Sequence, residues 1–468
     1  MRRTDGLTDR RTDRPATLWS QAAKLDRLML AYTVGDDPVW DARLLRWDVL
    51  GSLGHIEGLR ASGLLSTRDH AALRTGLRAA LRAVDSGKLF IGAQHEDAHS
   101  AVEDWLTRRI GNAGARVHTG RSRNDQVACD IRLYLKQTIL DVHQAGLEFA
   151  TALLGFAAAH RRVLWPGFTH QRRAMPSSAG LWAAGLAESL LDGLGAVAAI
   201  WPRIDRSPLG SAAGYGVPLP LRREVAMRAL GFAGLDLAVT TTQLSRGQLE
   251  AAVLAWCADV AHAASRAASD VILFSAEEFG FLVLPADLAT GSSIMPQKRN
   301  PDLFELTRAR AAMLDGDLGA VLHLRGKLTG GYHRDFQLLK EPLFRGLDRT
   351  GSMLAMMAHA VPKLGVNAER GRAALAGDSL VTDEVMRRVE EGEAFRQAYR
   401  AVADEFKAGV QFPSPSSAEI LARRSSTGGI GNLPIRELRS RSTALERWAR
   451  TERNRFQQAM TRLAGRGR

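Results

Sequence analysis

The sequence predicts an all-α protein: a long central helical bundle with smaller helical domains before and after it. Three observations carry this. Apolar residues recur at steps of three and four over long stretches, as in Ile131, Leu135, Ile139, Val142, Phe149 and Leu153, the period of one helix face. The long runs have alanine-rich faces, which suit helices packed closely side by side. No stretch alternates β-branched and polar residues as a half-buried sheet would.

Residues 1–18 are polar, basic and aperiodic and read as a disordered extension. An N-terminal helical domain is expected over 19–119, where short helical patterns between Trp40 and about Ile110 are punctuated by Gly51, Gly63 and Gly92. The central bundle is expected over 120–372. Its second long run spans Gly247 to Glu278 through Val253, Trp256, Val260, Ala263, Ala267 and Val271; at 1.5 Å per residue it reaches on the order of 45 Å. A third run occupies Leu303 to Leu324, and the breaks at Leu164–Gly167, Pro202–Pro220 and Pro285–Pro301 hold most of the unusual polar residues. Residues 373–468 return to shorter helices, with breaks at Pro413–Ser417 and Ser425–Gly431. No fixed-period repeat is visible.

Composition sets limits on function. With 45% hydrophobic and 24% charged residues the chain is neither disordered, collagenous nor a bare coiled coil. Two cysteines, Cys129 and Cys257, both in apolar helical runs, exclude a disulfide scaffold or a zinc site on count and read as small buried hydrophobes. No stretch approaches the roughly 20 apolar residues that span a bilayer, and the opening residues lack an apolar core segment. A soluble, non-secreted, cytoplasmic protein is expected. The formal charge is +13, but the last thirty residues alone hold nine arginines against two glutamates. Only two aromatic residues, Trp448 and Phe456, lie among them, so this reads as a solvated basic helix and nucleic acid as an unlikely partner.

Four segments carry candidate chemistry. In His118-Thr-Gly-Arg-Ser-Arg-Asn-Asp-Gln126, polar residues immediately precede a long helix. Its unpaired N–H groups, with Arg121 and Arg123 beside Ser122 and Asn124, suit a carboxylate; an elaborate helix cap is the plainer alternative. Trp165-Pro-Gly-Phe-Thr-His170 is a break leading to a helix, where Thr169 adjoins His170, a side chain able to exchange protons near neutrality. Thr290-Gly-Ser-Ser-Ile-Met-Pro-Gln-Lys-Arg-Asn-Pro-Asp302 is a loop with hydroxyls, Lys298 and Asn300 as donors, feeding a helix that carries Glu305. In Gly330-Gly-Tyr-His-Arg-Asp-Phe-Gln-Leu-Leu-Lys340, steps of three put Arg334, Gln337 and Lys340 on one helical face beyond Tyr332.

The run GSSIMPQKRNPD resembles the GSSxMPxKxNP signature loop of the aspartase/fumarase superfamily, and HTGRSRNDQV is similar to the hallmark of argininosuccinate lyases within it. WPGFTH, Glu305 and GYHRDFQ with Lys340 follow in the family's order, so the resemblance covers roughly residues 19 to 465. It implies reversible elimination of argininosuccinate to arginine and fumarate, the last step of arginine biosynthesis, by a homotetramer with shared active sites and no metal or organic cofactor. It further implies Ser292 as the base that takes the Cβ proton. Lys298 and loop amides hold its oxyanion, and His170 is paired with Glu305 as the candidate acid. By the same resemblance Ser122, Arg123, Asn124, Thr169, Arg246, Asn300, Tyr332, Gln337 and Lys340 match substrate-binding positions. Arg172 and Met175 stand where glutamines are usual, Gly247 where an aspartate is common and Leu53 where some members have lysine. These changes bear on the amine half of the substrate. Superfamily lyases acting on adenylosuccinate, aspartate, malate or carboxymuconate share the loop, but TGRSRNDQ argues against them. A non-catalytic structural relative would have no reason to keep Ser292, Lys298, His170 and Glu305 together.

Overall fold

A computed structural model describes residues 26–92, 94–375 and 377–465; the extension expected over 1–18 lies outside them. Helices α1 (Arg27–Val34), α2 (Asp37–Asp41), α3 (Leu45–Ala61), α4 (Thr67–Asp85), α5 (Ala98–Ile110) and α6 (Asn112–Ala115) form the first group. Side chains start the longer ones. Ser66 accepts the Asp69 amide ahead of α4, and Asp97 makes a reciprocal capping box with Ser100 ahead of α5.

The 37-residue α7 (Arg123–Ala159) then runs about 55 Å. A β-hairpin of β1 (Leu164–Thr169) and β2 (Arg172–Ser178) turns the chain into α8 (Ala179–Gly195) and α9 (Val197–Ile204), which pack back along α7. An excursion holds β3 (Arg206–Ser207) paired parallel with β4 (Gly234–Leu235), α10 (Arg223–Ala229) and α11 (Thr241–Leu244). Three long helices follow: α12 (Gln248–Ser275), α13 (Asp302–Arg325) and α14 (Lys340–Ala360). Between the first two come β5 (Leu282–Val283), β6 (Thr290–Gly291) and β7 (Arg299–Asn300), the last two paired with each other. After α14 come β8 (Gly365–Val366), paired with β5, and α15 (Ala368–Ala373), α16 (Val381–Glu390), α17 (Phe395–Lys407) and α18 (Ser417–Ala422). The chain ends in the 30-residue α19 (Ile435–Ala464), which lies against α7 and α8.

The main core fills the space between α7, α8, α12, α13 and α14, with Phe149, Leu190, Leu254, Phe304 and Phe344 among its fully buried side chains. A second core joins α3, α4 and α5 to the first half of α7 and the end of α19. Three sequence expectations need correction. The break at Trp165–Pro176 is a two-stranded hairpin rather than a bare loop. The 26-residue stretch Ala179–Ile204 is by length and composition apolar enough to cross a membrane; its apolar residues are spent instead on α7 and α12. The arginines of α19 are not a solvated arm throughout, since Arg441 pairs with Glu188 and Asp192, Arg453 with Asp141, and Arg455 with Asp205.

Helix contact in the core depends on a missing side chain at Gly346 of α14. A Cβ there would run into Leu254 of α12 and come within 2.9 Å of Leu314 of α13. Gly346→Val should therefore force the three helices apart and lower unfolding stability by about 1–3 kcal/mol or more. Urea denaturation followed by circular dichroism measures the loss, and an unchanged midpoint would show that the crossing has slack.

Candidate active site

The helix lengths decide which residues can meet. Ser122 caps α7, its Oγ accepting the Asn124 amide at 3.3 Å while Asp125 accepts the Ser122 amide at 3.0 Å. Arg123 and Asn124, in the first turn, face a cavity of about 300 Å³. Arg121 does not join them. It is buried and donates to Ser52 at 3.0 Å, because the turn before the cap points it back into the core.

The rest of the cavity comes from α2, the α5 cap and the segment before α14. Arg246, just ahead of α12, is clamped by Glu250 at 3.0 Å and the Phe336 carbonyl at 3.2 Å, with its guanidinium 5.3 Å from the Phe336 ring centroid. Tyr332 is half-exposed at the rim, edge-on to Phe336. The short helix Arg334–Leu339 presents Arg334 to Gln337 at 2.8 Å, and Gln337 donates to Asp37 at 2.7 Å. Lys340 is buried between Asp37, at 2.8 Å, and Asp41. Burial works against its charge, but Asp41 and Asp37 outweigh that and hold it above the ordinary lysine range. Arg123 meets Asp97 at 2.7 Å and Glu96 at 3.1 Å. Burial pushes the Asp97 carboxyl up, yet His99, Arg123 and the Ser100 amide together bring it below its usual value; burial leaves Glu96 above its own.

Sequence reasoning missed these acids. Asp37 and Asp41 sit four apart on a helix with Pro38 in its first turn, a spacing that puts both on one face. That spacing was the available signal. Glu96-Asp97 directly before α5 was another, since acids ahead of a helix are capping candidates.

The remaining predicted residues are elsewhere. Thr169 closes β1, and His170 and Gln171 form the hairpin's two-residue tip, with φ of 51° and 58°. Positive φ at both positions is the geometry of a tight primed turn, ordinarily left to Asn and Gly. Trp165 and Phe168 anchor the hairpin on Phe274 and Phe281, leaving Thr169 and His170 exposed. Between β6 and β7, Ser292 Oγ accepts the amides of Ile294 at 3.3 Å and Met295 at 3.1 Å. Asn300 reaches the Gly291 carbonyl at 3.4 Å. Lys298 and Glu305 are exposed, and no bond is recorded from Lys298 to Ser292 or from Glu305 to His170 among the described residues.

The hairpin and this loop lie past the far ends of α7 and α12 from the cavity. Arg246 precedes α12 at the cavity while Phe274, near its other end, packs on Trp165. The 28 residues of α12 span about 42 Å. Within one chain, Arg123 and Lys340 meet at the cavity, and Ser292 and His170 stand at the opposite end.

Comparison with known proteins gives a consistent set of relatives. A lyase family model matches residues 41–316. An argininosuccinate lyase of Sorangium cellulosum is 42% identical over 433 residues, 92% of this chain and 99% of that one. One of Parabacteroides distasonis is 39% identical, covering 89% and 92%, and one of Thermotoga neapolitana is 37% identical, covering 83% and 98%. Among solved structures, an EDDS lyase in complex with formate superposes with a TM-score of 0.78 at 24% identity, covering 93% and 94%. The class II fumarase of Schistosoma mansoni gives 0.69 at 17%, covering 84% and 90%. At these identities the structures show a shared fold.

The buried Lys340 cluster yields a test. Lys340→Met would leave Asp41 buried beside Asp37 without its counter-ion, a change that costs about 3–5 kcal/mol near pH 7. Burial already raises the Asp41 carboxyl. An acid whose folded pKa lies above its unfolded one loses stability as pH rises, so the variant should be penalised less at pH 5 than at pH 7. Chemical denaturation at both values reads the difference, and equal penalties would contradict the pairing.

Proposed function

The chain belongs to the argininosuccinate lyase family and is an enzyme of the lyase class, and from that premise we propose that it cleaves argininosuccinate reversibly to arginine and fumarate by base-catalysed elimination. The observation that carries the site assignment is the convergence of Arg123, Asn124, Arg246, Tyr332, Gln337 and Lys340 on one cavity, from segments more than 200 residues apart in sequence.

The chemistry needs a base for the Cβ proton, a stabilised dianion and a proton for the departing nitrogen. Ser292 is the base in this reading. A serine oxyanion is otherwise too costly, and the Ile294 and Met295 amides on its Oγ are donors suited to holding it; Lys298, four residues on from Ile294, supplies positive charge from the same loop. The Cβ–H electrons move toward the carboxylate to give the aci-dianion, which Arg123 offsets with its charge and Asn124 stabilises as a hydrogen-bond donor, and expulsion of the guanidino nitrogen completes fumarate. His170, charged by Glu305, protonates that nitrogen. Thr169, Asn300 and the Ser122 cap complete the carboxylate contacts.

Such a site needs more than one copy of the chain, and the exposed face of α13 supports self-association. Phe304, Ala311, Leu314 and Val321 are buried on one side, while Leu306, Ala309, Ala312, Met313, Gly316 and Ala320 are exposed on the other. Arg308, Arg310 and Asp315 lie on the same exposed side, but its small residues admit close approach of another helix. Packing two-fold-related bundles through this face gives a homotetramer in which opposite bundle ends meet. We expect it to work in the cytoplasm, in arginine biosynthesis.

Two experiments check this reading. Ser292→Ala should lower fumarate formation, followed by absorbance, by the roughly 10²- to 10⁴-fold typical of a proton-transfer group while argininosuccinate still binds. Near-normal turnover would overturn the role of Ser292. Co-refolding inactive Arg123→Ala with inactive Ser292→Ala should restore part of the activity, because some mixed sites receive an intact copy of both segments. Mixed tetramers confirmed by mass yet as inactive as either parent would falsify the shared site.

A further inference from the structure

Behind the cavity is a buried set of titratable groups that the elimination does not use. His99, in the first turn of α5, bonds through Nδ1 to Asp48 of α3. Asp130 of α7 completes a trio whose polar atoms lie within 4.8 Å of one another, and all three side chains are buried. Among the described residues His99 Nε2, Asp48 Oδ1 and Asp130 Oδ2 have no hydrogen-bond partner.

Burial works against a charge on this imidazole, but Asp48, Asp97 and Asp130 overrule it and push the His99 pKa up to about 9. A cation in a helix's first turn runs against the helix dipole, so α5 gains nothing from it locally. Its sequence neighbours show where it acts. Asp97, two residues earlier, holds Arg123 at 2.7 Å. Ala98, between them, donates its amide to Asp41 at 3.5 Å, and Asp41 holds Lys340. The His99–Asp48 bond therefore ties down the one turn that reaches both cations.

We propose that His99 is a positioning residue: its imidazolium, clamped on Asp48, fixes the first turn of α5 and with it the separation of Arg123 and Lys340, which grip the substrate. This rests on the reading of those two as substrate-binding residues. The groups that face His99 are Asp41 from α2, Asp48 from α3, Asp97 and Glu103 from the α5 segment, and Asp130 from α7. Arg121 and His118, before α7, are the nearby positive or titratable groups. Acids outnumber cations in that set. Loss of the imidazolium charge leaves them repelling one another across the α3, α5 and α7 junction and loosens both grips together.

The test is kcat/KM for argininosuccinate against pH, for wild type, His99→Gln, His99→Lys and Arg123→Lys, with folding followed by circular dichroism. Wild type should show a decline centred near pH 9. His99→Gln should raise KM about tenfold with kcat within threefold, and lack that decline. His99→Lys, which keeps a cation to higher pH, should move the decline upward. A wild-type profile flat through pH 9, the same decline in His99→Gln, or an unchanged KM in that variant overturns the proposal. Should His99→Gln not fold, the wild-type and His99→Lys profiles decide alone. A normal Arg123→Lys means that the substrate-binding reading has failed; a severe loss there with normal His99→Gln means that only the positioning role has.

Discussion

A helix of 37 residues cannot be shortened by packing, and the ~55 Å length of α7 governs most of what this chain can do. Each break that carries polar chemistry sits at a helix end, and α7, α12 and α14 run one way while α8 and α13 run back, so the breaks are sorted to two ends of one bundle. Arg123 opens α7, Arg246 precedes α12, and Tyr332 to Lys340 lie between α13 and α14, all at one end. The hairpin after α7 and the Ser292 loop after α12 fall at the other. Side chains reach a few ångströms, which is an order of magnitude too little to join the two.

Rigid rods also need to be placed, and α7 does this with charges inside the protein. Asp125, Asp130, Arg132 and Lys136 are all buried on it. Asp125 accepts the amides of Gly210 at 3.0 Å and Ala212 at 2.9 Å, Arg132 meets Asp236 at 2.8 Å and the Arg206 carbonyl at 2.7 Å, and Lys136 bonds Asp205 and the Gly231 carbonyl. Such pairs add little net stability, because desolvation offsets their attraction, but breaking one leaves an unpaired buried charge at a cost of about 3–5 kcal/mol. Their effect is therefore on register. They lay the excursion from Asp205 to Asp236 along α7 in one place and keep the Arg123 end of the rod open to the cavity.

The long helices were legible because periodicity over twenty or more residues has few competing readings: the runs expected at Gly247–Glu278 and Leu303–Leu324 correspond to Gln248–Ser275 and Asp302–Arg325. The hairpin was not, since Trp165-Pro-Gly-Phe-Thr-His170 has neither strand alternation nor an Asn-Gly turn, and its strands are held by Trp165 and Phe168 packing on residues a hundred positions away. Of the candidate site residues, the clusters in Thr119–Gln126 and Gly330–Lys340 were visible as dense polar runs, and the structure gathers seven residues of these segments and Arg246 at the cavity. Asp37, Asp41 and Asp97 were missed for the opposite reason. The i,i+4 spacing of Asp37 and Asp41 and the place of Asp97 ahead of a helix were weak signals, and what makes each acid matter is a cation some 26 to 300 residues away. Arg121 was misread because sequence adjacency to a helix start does not say which side of the turn a side chain leaves from.

The acids explain how the cavity can exist at all. Arg123, Arg246, Arg334 and Lys340 line one space of about 300 Å³, and two like charges 4 Å apart repel by about 4 kcal/mol at the effective dielectric of a protein site. Four such cations alone would not stay folded around an empty cavity. Asp37, Asp41 and Asp97 line the same space, and each pair restores the energy that a neighbouring repulsion removes. Glu96 on Arg123 and Glu250 on Arg246 add two more carboxylates, so the site presents both signs of charge side by side. A purely anionic ligand would gain from the cations and lose to the acids. A ligand that carries carboxylates on one part and a positive group on another can satisfy both sets at once, and that is the charge pattern of argininosuccinate rather than of fumarate or malate.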